Sequence, residues 1–125
     1  MILSFKKQFK DKILDGTKIH TIREDKPNRW NAGRLIHLAT SVRTKNYNCF
    51  GRLICSGCQK IVIEKWKNTG HWYLDFTVCV EGIYLGASEI DELAKNDGFE
   101  STESFFHWFK EDFTGRIIHW TDKRY

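Results

Sequence analysis

The stretch Gly16-Thr17-Lys18-Ile19-His20-Thr21-Ile22-Arg23-Glu24-Asp25 sets an amine, an imidazole, hydroxyls and a guanidinium side by side directly after a glycine break. It reads as a short strand entered from a turn at Asp15-Gly16. Period-two alternation then puts Ile19, Thr21 and Arg23 on one face and His20 and Ile22 on the other. Lys18 precedes the regular alternation and can share the side of Thr21 and Arg23. Two readings fit so dense a set of polar groups: a binding site, or a half-buried strand carrying two solvated cations.

Working outward, residues 1–5 read as a strand and residues 6–14 as a helix, with Phe5, Phe9 and Ile13 four apart on one face and Gly16 as its C-terminal stop. A polar loop over 25–33 holds the sole proline and Trp30, and 34–40 is the next strand. The loop 41–48 carries Arg43, Lys45 and Tyr47. Residues 49–66 and 71–80 read as two strands joined by Lys67-Asn68-Thr69-Gly70, a hairpin composition, with a further short strand at 83–85. Ser88 is placed to cap a helix over 89–95, and Ser101 or Thr102 to start a second one that Gly115 ends. Residues 116–120 form the closing strand. Short strands of changing direction, with helices at the two ends of the chain, predict an α+β domain built as a small mixed barrel.

The chain's 125 residues suit one domain spanning 1–125, enough for a single hydrophobic core. No apolar run approaches the roughly 20 residues of a membrane span. At the N-terminus the apolar residues precede the lysines, the reverse of a secretory signal, so the expectation is a cytoplasmic protein with no membrane partner. Of the four cysteines only Cys55 and Cys58 have suggestive spacing, and with no second pair they read as buried thiols flanking a Ser-Gly bulge. A structural zinc is the alternative; the expectation is no metal and no cofactor. His37 and His119, between apolar neighbours, read as core histidines, and Phe105, Phe106, Trp108 and Phe109 as core aromatics. Net charge is +4, but residues 1–52 carry 12 Lys and Arg against 4 Asp and Glu, whereas 53–125 carry 8 against 12. That split suits a positive field on one side of the fold and an anionic partner.

The set Gly16-x-Lys18-x-x-Thr21-x-Arg23, Gly33-Arg34-Leu35-Ile36-His37-Leu38, Asp97-Gly98-Phe99-Glu100-Ser101 and Gly115-Arg116-Ile117-Ile118-His119-Trp120 resembles the ASCH family over essentially the whole chain. The resemblance implies a PUA-like β-barrel and a role in RNA metabolism or its regulation. Some small members are amidohydrolases that remove the acetyl group from acetylated cytidine with a lysine, a threonine and a glutamate. Carried over, these fall on Lys18, Thr21 and Asp97, an aspartate where the enzymes have glutamate; Glu100 is the nearest glutamate. In chemical terms a desolvated Lys18 can deprotonate Thr21, a carboxylate can carry protons and Arg23 can meet an oxyanion. The same groups can also hold a phosphate or the edge of a base without reacting.

The expected site is therefore a cleft lined by Lys18, Thr21, Arg23 and Asp97 and rimmed by Arg43, Lys45, Trp30 and Tyr47. Trp30 and Tyr47, beside cations, suit either stacking on an unpaired base or simple loop packing. The expected partner is RNA or a nucleoside or nucleotide ligand. The alternatives are an amidohydrolase acting on a modified nucleoside and a protein-interaction module with a vestigial cleft.

Overall fold

A computed structural model describes residues 2–24 and 29–125. In chain order the elements are β1 (Ile2–Phe5), α1 (Lys7–Leu14), β2 (His20–Arg23), β3 (Leu35–Thr40), β4 (Asn48–Ile54) and β5 (Gly57–Lys65), followed by α2 (Trp72–Asp75), β6 (Phe76–Val80), β7 (Ile83–Tyr84), α3 (Ala87–Asn96), α4 (Thr102–Trp108) and β8 (Phe113–His119). The fold is α+β. No helix among the described residues is long and apolar enough to cross a membrane.

The strands form two sheets rather than one closed ring, which corrects the expectation of a barrel. One has the order β1-β3-β4, with β1 and β3 parallel; the other is antiparallel, in the order β2-β8-β5-β6-β7. The chain passes between them at Cys55-Ser56. Cys55 exchanges backbone bonds with Gly33 and Arg34 on one side, and the Ser56 amide donates to His119 O on the other. This step splits what the alternation presents as a single strand over 49–66, because each half keeps an apolar face while its pairing partner changes. The Cys55 thiol is buried and that of Cys58 half-buried.

Strand β8 is covered on both faces, so Ile117 and Ile118 are both fully buried. The core gathers Ile36, Leu38, Ile61, Ile63, Val78 and Val80 from the strands, with Phe9, Ile13, Ile90, Leu93, Phe105 and Phe106 from α1, α3 and α4. Ser101 caps α4, its hydroxyl accepting from the Ser104 amide at 3.2 Å. Helix α3 begins before Ser88: Gly86 is its cap, and the Glu89 carboxylate accepts the Gly86 N–H at 3.0 Å. The chain reaches β8 well before Gly115, so this glycine lies in the strand and does not end a helix. The four-residue helix α2 stands where strand residues were expected. Asp75 holds it by accepting from the Thr69 amide, the Thr69 hydroxyl and the Gly70 amide, all within 3 Å.

Candidate functional site

Lys18 is placed by backbone before its side chain acts. Its amide donates to Lys12 O at 2.9 Å and that of Ile19 to Asn96 O at 2.8 Å, so the segment entering β2 is docked on the ends of α1 and α3. Helix α3 closes in a Schellman motif: Gly98 N–H bonds Lys95 O and Phe99 N–H bonds Ala94 O, both at 3.0 Å. Gly98 sits at φ +93°, where L side chains are strained, and a Cβ there would meet Lys18 Cδ and Phe9 at 3.0 Å. The motif turns Asp97 inward at the foot of β2.

The Lys18 ammonium, 2% exposed, donates to Asp97 O at 2.5 Å and to Asp97 Oδ1 at 3.2 Å, across 79 residues of chain. It also lies 4.9 Å from the centre of the Phe9 ring. Burial pulls the Lys18 pKa below the ordinary lysine value, while the Asp97 carboxylate pulls it back up. Arg23 packs its guanidinium over Phe5 at 5.0 Å, donates to Thr21 Oγ1 at 3.4 Å and bonds Ser4 O.

These groups open onto a cleft of about 340 Å³ lined by Lys18, Thr21, Arg23 and Asp97, with Phe5, Phe9, Phe99 and Trp108 as its apolar walls. Of the expected rim, Trp30 requires correction. It is 3% exposed and belongs to the core, with its carbonyl accepting from Cys58 Sγ at 2.9 Å, so its ring is no platform for a ligand. Arg43, Lys45 and Tyr47 are exposed on a loop that leaves β3 just past Thr40, the partner of Phe5, but none of them lines the cleft. The remainder of the predicted loop before Trp30, residues 25–28, lies outside the described residues.

The structure adds groups that sequence reasoning missed. Trp108, expected in the core, is 44% exposed and walls the cleft, with Lys6 Nζ 5.0 Å from its ring centre. The signal lay in the width of the aromatic run: at about 100° per residue, positions 105, 106, 108 and 109 sweep roughly 160°, wider than one buried stripe. His20 is fully buried behind Asp97. Its Nδ1 lies 3.0 Å from Asp97 Oδ1 and its Nε2 2.6 Å from the Tyr125 hydroxyl, which accepts from Asn96 Nδ2 at 2.9 Å. This chain satisfies every donor if His20 is neutral, with its proton on Nδ1 given to Asp97 and Nε2 accepting from Tyr125. Burial lowers the His20 pKa, with the Asp97 contact opposing it, and raises that of Tyr125.

His119 stacks edge-on to His20 at 5.3 Å and donates from Nε2 to Gln59 Oε1 at 3.0 Å, which leaves Nδ1 buried with no acceptor for a second proton among the described residues. Burial, with smaller contributions from His20 and Arg124, brings its pKa down to about 3. Both histidines therefore resist protonation in the folded state. Below pH ~6.5 the unfolded chain takes up protons that the native state refuses, so their stabilising effect is complete above that pH and is lost as pH falls toward 3. Denaturant titrations should show stability at pH 4.5 below that at pH 7 by at least on the order of 2 kcal/mol, and His119→Asn should reduce this difference, leaving the share of His20. An unchanged midpoint would refute the neutral-histidine account.

Among the described residues no three His, Cys, Asp or Glu side chains gather as a metal site requires. Comparison of the chain with protein-family models, with curated proteins and with solved structures finds no match.

Proposed function

We propose that this is an ASCH-type, PUA-like protein whose cleft receives a nucleoside, either free, as a nucleotide or as an unpaired residue of RNA. The observation that carries the reading is the meeting of Lys18, Thr21, Arg23 and Asp97 on one aromatic-walled cleft. Its volume falls in the range that small-molecule sites occupy. A carboxylate accepts from the N–H groups of a base, Lys18 and Arg23 donate to carbonyl or phosphate oxygens, and the partly exposed Trp108 adds an aromatic wall against which a base can pack. In this reading the PUA-like barrel is an open one, its sheets joined by the chain at Cys55-Ser56.

Amide hydrolysis of a modified nucleoside is the second reading, favoured by a buried Lys18 of lowered pKa beside a carboxylate. Neutral Lys18 would take the Thr21 proton as the Thr21 oxygen attacks the acyl carbonyl, and would return it to the leaving nitrogen as the C–N bond breaks; water would then hydrolyse the Thr21 ester, releasing the carboxylic acid and restoring the hydroxyl. No hydrogen bond joins Lys18 to Thr21 among the described residues, so the first transfer requires a water or a small side-chain shift.

Calorimetric titration with cytidine, alongside hydrolysis assays on acetylated cytidine, tests both. Binding with little or no turnover is the expected result, because an aspartate is one methylene shorter than the glutamate of the similar enzymes, and a displacement of about 1 Å can cost on the order of a hundredfold in rate. Lys18→Ala should weaken binding. If wild type does turn over, Lys18→Arg decides the mechanism: it keeps the charge but yields no proton at neutral pH, so retained activity would exclude Lys18 as the base. Absence of both binding and turnover would overturn the nucleoside reading.

A further inference from the structure

Residues directly opposite in neighbouring strands point to the same face of a sheet. The register pairs Arg23 of β2 with Arg116 of β8, and Arg116 with Lys60 of β5, so three cations stand in one row across the sheet. Like charges placed this way repel and destabilise the pairing. At the cleft end Arg23 feels the Asp97 carboxylate, but the Arg116 guanidinium and the Lys60 ammonium make no hydrogen bond or ion pair with any described residue. The nearby Glu81 carboxylate accepts from the Lys60 backbone amide at 2.8 Å. Lys60 is exposed and Arg116 half-buried. Arg23, at the other end, lines the cleft and retains donors beyond those given to Thr21 and Ser4.

We propose that this row is a track for a single-stranded phosphodiester chain, leading away from the cleft over β8 to β5. The proposal rests on the nucleoside reading of the cleft and extends it to the strand that carries the base. At about 4.8 Å between strands the row covers roughly 10 Å, room for two or three phosphates. The phosphates would supply the counter-charge that Arg116 and Lys60 lack among the described residues. Arg23 would then serve both parts, holding the cleft wall and the first phosphate.

The test uses two probes, a short labelled oligouridylate and cytidine, with wild type and an Arg116→Gln, Lys60→Gln double variant whose melting is checked first. Neither side chain has a partner to lose, so the variant should fold. For wild type, oligouridylate affinity should fall steeply with salt. In the variant the slope of log affinity against log salt should be shallower by about 1.4, two contacts at about 0.7 each for a single strand, while cytidine affinity is unchanged. An unaltered slope, or wild type that fails to bind oligouridylate at low salt, overturns the track whatever cytidine does. Salt-dependent oligouridylate binding that needs Arg116 and Lys60, without any cytidine binding, upholds the track and removes the nucleoside reading of the cleft.

Discussion

Asp97→Ala is expected to lower folding stability by about 3–5 kcal/mol at pH 7 and to abolish ligand binding in the cleft. Asp97 Oδ1 is the common acceptor of Lys18 and His20, both buried. Deleting it leaves an ammonium in an apolar surround with the residue-97 carbonyl and the Phe9 and Phe5 rings as its remaining contacts, and removing one partner of a buried pair costs about that much. The melting temperature should fall on the order of 10 °C or more. The deficit should also shrink as pH rises. Lys18 in the folded variant has a lowered pKa, whereas the unfolded chain holds its proton up to about pH 10.4, so between those values stability climbs with pH. Denaturant titrations at pH 7 and 9 measure this, with Asp97→Asn as the control that retains an acceptor for His20. A variant as stable as wild type at pH 7 would mean that the pair contributes nothing.

Gly115→Ala is expected to be nearly as damaging for a steric reason. A Cβ at this position would lie 2.5 Å from the backbone oxygen of Arg23 and 2.7 Å from the Phe113 ring. The first contact is with backbone on the neighbouring strand, so the rotation of a side chain does not relieve it. Overpacking of this kind costs about 1–3 kcal/mol, and the upper end applies where backbone has to move. Because β2 carries Thr21 and Arg23, its displacement should also weaken cytidine binding, an effect that a purely local strain would not produce. Thermal melting and calorimetry together check it. A variant with wild-type melting would show that β2 and β8 can part without loss.

The alternation around Lys18 made Thr21 and Arg23 legible as one face, and Asp97 entered through the resemblance of its Asp-Gly-Phe turn. What placed Asp97 against Lys18 was the docking of residues 17–19 on the ends of two helices, a long-range arrangement that no local pattern encodes. Of the two readings left open for Trp30, packing holds and the place on the rim does not, because a polar neighbourhood in sequence does not prevent a ring from turning into the core. His20 was assigned to the face away from the site; it reaches Asp97 from behind, through a contact that lies outside the two-face picture. The step at Cys55-Ser56 was invisible because pairing partners change there while the alternation continues. The cationic row, likewise, takes Lys60 and Arg116 from the half of the chain that is acidic by count. Charge totals of sequence halves carry no register, and register is what aligns these three side chains.

β1 and β2 each form one edge of their sheet, and the cleft is lined by residues of both edges. In a closed barrel, ladder bonds would join these edges; here the Arg23 guanidinium reaches across to the Ser4 carbonyl. The cleft is thus the unzipped seam of the fold, and a side-chain hydrogen bond among the described residues, that of Arg23 with Ser4 O, joins its two edges. If the cleft receives the proposed ligand, one that draws Arg23 to itself would release this contact without breaking any ladder bond, so entry of the ligand and closure of the seam would compete for one guanidinium.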